Sequence, residues 1–153
     1  MRLKIDLLPK ENFSYQEITS YHVHGLIWNS LKGTEFEKKH EEKKFKFFTY
    51  SNIFPITDFK EDEIKSLIIA SPNEKFIITL KKKLLDKDEI KLGSHILSIE
   101  NIKTFKILPR EEWQTSTPIV LYEDNRRNLY FSIRRNPSLD FFLSRLKDNA
   151  LKK

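Results

Sequence analysis

Residues 40 to 51 read His40-Glu41-Glu42-Lys43-Lys44-Phe45-Lys46-Phe47-Phe48-Thr49-Tyr50-Ser51, an imidazole followed by a run that alternates cation and aromatic ring. Such a run suits an RNA backbone, because cations neutralise phosphates while rings stack on unpaired bases. RNA also carries its own nucleophile. When a 2′-hydroxyl attacks the adjacent phosphate in line, the protein has to supply a base for the hydroxyl, a cation for the crowded phosphorane and an acid for the departing 5′ oxygen. A histidine and a lysine can cover those tasks. The plain alternative is a solvated charge run that leads into an ordinary edge strand.

The other histidines are weaker candidates. His22 and His24 lie two apart in a segment with helical spacing, so they project about 200° from one another and do not share a metal. His95 falls beside Ser94 in a predicted turn, where it is expected to face solvent. The chain has no cysteine, which excludes a thiolate nucleophile, a cysteine-based zinc site and a disulfide framework. No metal or cofactor is expected.

Several elements must position these residues. Residues 2–8 (RLKIDLL) alternate as a half-buried strand closed by Pro9. Ser14 with Glu17 three residues on forms a capping-box pattern, after which apolar residues recur at helical steps as far as Gly33. Residues 34–42 are too polar to be buried and suit a short exposed helix capped by Thr34. Lys44 to Ser51 reads as a strand with one wet face, and Ser66 to Ser71 as a short buried one. Pro72-Asn73-Glu74 opens a helix through Leu85 with Phe76, Ile77, Leu80 and Leu84 on one face. Glu89 to Leu92 and His95 to Phe105 are strands joined at Gly93-Ser94. The order β-α-β-β-α-β is that of an α+β, ferredoxin-like (RRM-like) domain.

Residues 1–108 complete that domain, 109–116 read as a linker, and 117–153 add a hairpin and a helix from Pro137 to about Ala150. A hairpin and one helix cannot close a core. These residues therefore read as the start of a second, similar domain that is truncated. Charge divides at nearly the same place. Lys and Arg balance Asp and Glu at 20 each through residue 125, whereas residues 126–153 hold 8 against 2, so the whole net charge of +6 sits at the C-terminal end. That imbalance favours a polyanionic partner. With 33% charged residues and 12 Phe the chain is too aromatic for a disordered one, and it has no apolar run able to cross a bilayer. MRLKIDLLPK alternates rather than following the pattern of a secretory signal, which points to the cytoplasm.

Taken in order, MRLKIDLLPK, YHVHGLIWNSLK and KKHEEKKFKFFTYSNIF resemble the N-terminal domain of the CRISPR-associated endoribonucleases of the RAMP superfamily, which cut precursor CRISPR RNA within its repeats. The likeness is specific over residues 1–54 and looser beyond. It implies metal-independent cleavage leaving 2′,3′-cyclic phosphate and 5′-hydroxyl ends, with His40 as general acid or base and Lys46 as the cation. It also implies precursor CRISPR RNA as the partner, and a CRISPR effector complex as a further one. Some members carry a tyrosine after G-L-I, where this chain has Trp28, and an indole cannot exchange a proton as a phenol does. Tyr21, His24 and Tyr50 are the neighbours able to make up for it. Lys43, Lys44, Arg126, Arg127, Arg134 and Arg135 are the candidate phosphate contacts. Members also carry a glycine-rich loop near the C-terminus, which three glycines at 25, 33 and 93 do not provide. A non-catalytic RNA-binding module or effector subunit of the same fold is the competing reading.

Overall fold

Alternation in the first residues produces β1 (Arg2–Pro9), whose Leu3, Ile5 and Leu7 are fully buried on one face. β1 is the middle strand of a sheet. It pairs antiparallel with β3 (Lys65–Ala70) on one side and β5 (His95–Phe105) on the other, Ile5 standing opposite both Leu67 and Ile102. β2 (Thr49–Tyr50) and β4 (Glu89–Leu92) extend the edges, giving the order β2-β3-β1-β5-β4, antiparallel throughout. The computed structural model describes residues 1–41, 47–108, 112, 119–124 and 126–151.

Helices α1 (Ser20–Ser30) and α2 (Glu74–Leu85) supply the other half of the core. Val23, Leu26 and Ile27 of α1, with Phe76, Ile77, Leu80 and Leu84 of α2, join Leu3, Ile5, Leu7, Leu67 and Ile69 in one apolar cluster. Each such side chain removed from water contributes roughly 1.5–3 kcal/mol before entropy is charged against it. The strand and helix order is the split βαβ plan, with β5 beside β1 where the plan has its last strand and β4 added at the edge. The expected fold is therefore present, and β4 and β5 begin and end at the residues where the alternation places them.

Three expectations need correction. The Ser14–Glu17 capping box forms, but it caps a single 3-10 turn at Tyr15–Glu17 rather than the long helix. Ile18 is extended, and α1 starts at Ser20, where His22 Nδ1 accepts from the Thr19 backbone N–H at 3.2 Å. The segment after Gly33 is not wholly exposed, because Phe36 is buried and meets the Phe76 ring edge-on at 5.4 Å. Of its described residues only Glu37–His40 is helical, as a 3-10 turn. Third, β3 starts one residue early, at Lys65, which is fully buried. Its ammonium donates to Pro55 O (3.1 Å), Thr57 O (2.8 Å) and Thr57 Oγ1 (2.6 Å) and lies over the Phe59 ring. Burial lowers the Lys65 pKa, and the three acceptors meet the demand of a buried donor.

The described part of β2 is Thr49–Tyr50, and residues 42–46 of the longer predicted strand lie outside the described residues. The chain divides into two units, Met1–Leu108 and Pro109–Lys153. In the second, β6 (Tyr122–Asp124) and β7 (Leu129–Tyr130) form a hairpin that turns through Asn128 at φ 53°. α3 (Leu139–Leu151) starts two residues after Pro137, with Ser138 Oγ accepting from Phe141 N at 3.1 Å as its cap. The predicted linker 109–116 lies, apart from Glu112, outside the described residues, as does Pro118. No helix among the described residues is long and apolar enough to cross a membrane.

Candidate active site

The site is assembled by a chain reversal after α1. Gly33 takes φ +71°, a left-handed conformation that costs glycine nothing, and sends the backbone back along the helix it has just left. Thr34 Oγ1 donates to Leu31 O (2.6 Å) and accepts from Phe36 N (3.2 Å), and a Glu37 carboxylate oxygen accepts from Gly33 N (2.9 Å). With Phe36 sunk in the core, the next turn delivers His40 to the flank of α1. Positions 21, 24 and 28 share that flank of the helix, since steps of three and four residues return to one face.

The rings that meet there are His24, Trp28, His40 and Phe48. His40 lies 5.0 Å from Trp28 and 6.0 Å from His24 between ring centroids. Phe48, immediately before β2, stands 5.5 Å from Trp28, 6.1 Å from His24 and 5.1 Å from Phe76, which ties the cluster to the core. Tyr50 stacks on Phe48 at 6.4 Å, and its hydroxyl donates to Ser20 O at 3.0 Å, joining β2 to the first turn of α1. Trp28 is buried, and its indole N–H donates to His24 Nε2 at 2.9 Å. His40 is exposed.

Of the expected site residues, the structure thus groups His40, His24, Trp28 and Tyr50. Tyr21 is 83% exposed, on the same helix face two turns from Trp28. Lys46, Lys43 and Lys44 lie outside the described residues. Arg126, Arg127 and Arg134 are exposed in the second unit. Arg135 forks onto Glu123 at 2.9 and 3.2 Å and also donates to Tyr130 O. Arg127 faces Asp124 at 3.5 Å.

His22 and His24 diverge as their spacing requires. The His22 ring lies against Gly93, where a Cβ would meet it at 3.2 Å, and Gly93 itself has φ +67°, so both space and backbone call for glycine at that turn. Among the described residues no group of three or more His, Asp or Glu is placed to hold a metal ion.

His95 does not face solvent as its turn position suggested. It is the first residue of β5, 9% exposed, with its ring stacked flat on Phe13 at 3.7 Å. Nδ1 lies 2.6 Å from Glu11 and Nε2 3.2 Å from Glu17. Both ring nitrogens meet carboxylate acceptors, an arrangement that favours the doubly protonated ring. The Glu11 contact foremost, opposed by burial and reinforced by Glu17, raises the His95 pKa. Glu17 is held low, chiefly by the Ser14 backbone N–H and next by His95. No sequence spacing signals this group, because Glu11 is 84 residues from His95.

An imidazole at a surface of aromatic rings offers acid–base chemistry beside platforms on which bases stack. Comparison with known proteins shows what the chain is similar to. No family model matches the chain. The CRISPR-associated endoribonuclease Cas6 2 of Methanocaldococcus jannaschii is 40% identical over 154 residues, which cover all of this chain and 64% of that protein. The chain is a homologue of the Cas6 proteins. The Cas6 of Haloferax mediterranei is 25% identical over 107 residues, 70% of this chain and 40% of that protein. The chain therefore spans less than two thirds of the length of either relative. Among solved structures, a Cas6-related protein of Pyrococcus furiosus superposes with TM-score 0.60 at 24% identity, over 97% of this chain and 67% of that one. An RAMP protein described as binding different RNA substrates gives 0.56 at 24% identity, over 97% and 68%. These superpositions show a shared fold, the ferredoxin-like one.

Proposed function

We propose that this chain is part of a Cas6-type endoribonuclease that processes precursor CRISPR RNA by cutting within its repeats. The observation that carries the reading is His40, set by the Gly33 reversal against Trp28 and His24 in a chain 40% identical along its length to a Cas6 endoribonuclease. The reaction is an internal transesterification. O2′ bonds to phosphorus, the P–O5′ bond breaks, a base takes the 2′ proton and an acid gives one to O5′, leaving 2′,3′-cyclic phosphate and 5′-hydroxyl ends. His40 serves as acid or base and Lys46 as the cation that offsets the phosphorane charge. The aromatic flank holds unpaired bases beside the scissile bond. Arg126, Arg127, Arg134 and Arg135 contact phosphates, in a stretch, 117–153, that begins a second domain of the same kind. The protein works in the cytoplasm, alone or beside a CRISPR effector complex.

The test is incubation with repeat RNA in excess chelator and analysis of the product ends. Cyclic-phosphate products that disappear in His40→Ala are expected. Cutting that survives His40→Ala would remove the assignment of His40, and cutting that requires a divalent ion would remove the mechanism. One observation favours a second reading, an RNA-binding module without cleavage: Trp28 stands where some members have a tyrosine, and its polar atom is turned onto His24. That module would bind repeat RNA with salt-dependent affinity and leave it intact.

A further inference from the structure

The Trp28–His24 contact has a direction that chemistry dictates. An indole N–H only donates, so the His24 Nε2 that receives it at 2.9 Å must present a lone pair. The neutral ring then carries its proton on Nδ1. A second proton would have to enter at Nε2, breaking the bond and setting two N–H groups face to face inside a partly buried contact. Trp28 cannot turn away cheaply, since it is packed at 8% exposure between the Phe48 and His40 rings.

We propose that Trp28 is a positioning residue that keeps His24 neutral and protonated on Nδ1, which withdraws His24 from proton transfer and leaves that work to His40. The proposal rests on the endoribonuclease reading only for the identity of the reaction. In its Nδ1–H form His24 can donate a hydrogen bond but has no lone pair left to accept a proton. Among the described residues it meets Trp28 from its own helix, Phe48 from the segment before β2, and His40 from the 3-10 turn. Of these His40 is the ionisable one. Two histidines 6.0 Å apart would otherwise share or exchange a proton, and a site with two interchangeable bases has mixed protonation states. Fixing one tautomer with a donor-only partner assigns the roles.

The experiment is a long-range 1H–15N correlation of the histidine side chains in the whole chain, with no RNA present. A hydrogen bond worth about 1.4 kcal/mol gives a preference of about tenfold, so neutral His24 is expected as Nδ1–H over Nε2–H by about ten to one. In Trp28→Phe, which keeps an aromatic ring in the packing, the preference is expected to collapse to a mixture, and the ring is expected to gain its second proton at higher pH than in the wild type. An Nε2–H His24 in the wild type overturns the proposal, whether or not the variant folds. A tautomer ratio unchanged by Trp28→Phe overturns the role of Trp28. On repeat RNA in chelator, the pH–rate profile of His24→Asn is expected to keep the shape of the wild-type profile whatever the change in rate, and the loss of one limb would show His24 in proton transfer and overturn the proposal. Failure of the wild type to cut at all would overturn the function proposed above while the tautomer still decides this inference.

Discussion

His40 and His95 are the same side chain in opposite situations, and the difference separates a working histidine from a structural one. His95 has an acidic partner at each nitrogen and a phenyl ring flat against its face, so its charged form is favoured and its ring nitrogens are engaged. His40 stands exposed among rings that carry no fixed charge. A histidine whose ring nitrogens are engaged by carboxylates stitches the segment after β1 to β5. One that faces rings and solvent stays available to a ligand.

The contrast breaks first at His40. His40→Ala is expected to cut repeat-RNA cleavage by about 10²–10⁴-fold while leaving the thermal midpoint within a few degrees, because the side chain is exposed. Rates on repeat RNA and a melting curve on the same sample check both halves. A melting change as large as that of a core variant would mean that His40 is structural after all.

Next in size is Phe13→Ala, expected to cost about 3–5 kcal/mol by urea unfolding. Phe13 packs on both the His95 ring and Phe59, at 3.7 and 4.3 Å, so its removal opens a cavity beneath the His95 ring. His95→Ala should cost about 1.5–3 kcal/mol near neutral pH, the range of hydrogen bonds to charged groups. Its pH dependence has a definite sign. The native pKa is raised, so the stabilisation is fully present below the unfolded value of about 6.5 and fades as pH rises through the native value. The gap between wild type and His95→Gln should therefore narrow on the alkaline side, and a gap that widens there would show that the ring is neutral in the native state. Smallest is Tyr50→Phe, which loses the single bond to Ser20 O and should cost about 0.5–1.5 kcal/mol in the same unfolding assay.

Much of the frame was legible because it rests on local patterns. The β4–β5 hairpin follows from alternation on either side of Gly93-Ser94, and α2 from Asn73, whose side chain does accept from Phe76 N at 3.2 Å. The start of α1 was not legible, because the Ser14 signal is genuine but local. Tyr15 is held by Asp58 through its backbone N–H and by Ile53 through its hydroxyl, partners about 40 residues away, and the chain straightens at Ile18. The first residue of β3, Lys65, and the burial of Phe36 were missed for the same reason. A lysine reads as exposed until three carbonyl and hydroxyl oxygens of the 55–57 loop gather at its ammonium, and a polar run hides one buried ring.

By itself the sequence determined the fold class, the identity of His40 as the residue to test and the separation of His22 from His24, all of which follow from periodicity, spacing and side-chain chemistry. Tertiary structure alone decided that His40 returns to the flank of α1, that Trp28 gives its proton to His24, and that His95 is buried between two glutamates. Each of those depends on groups brought together by folding, and a hydrogen bond or a stacked ring acts over a few ångströms of space, whatever the separation along the chain.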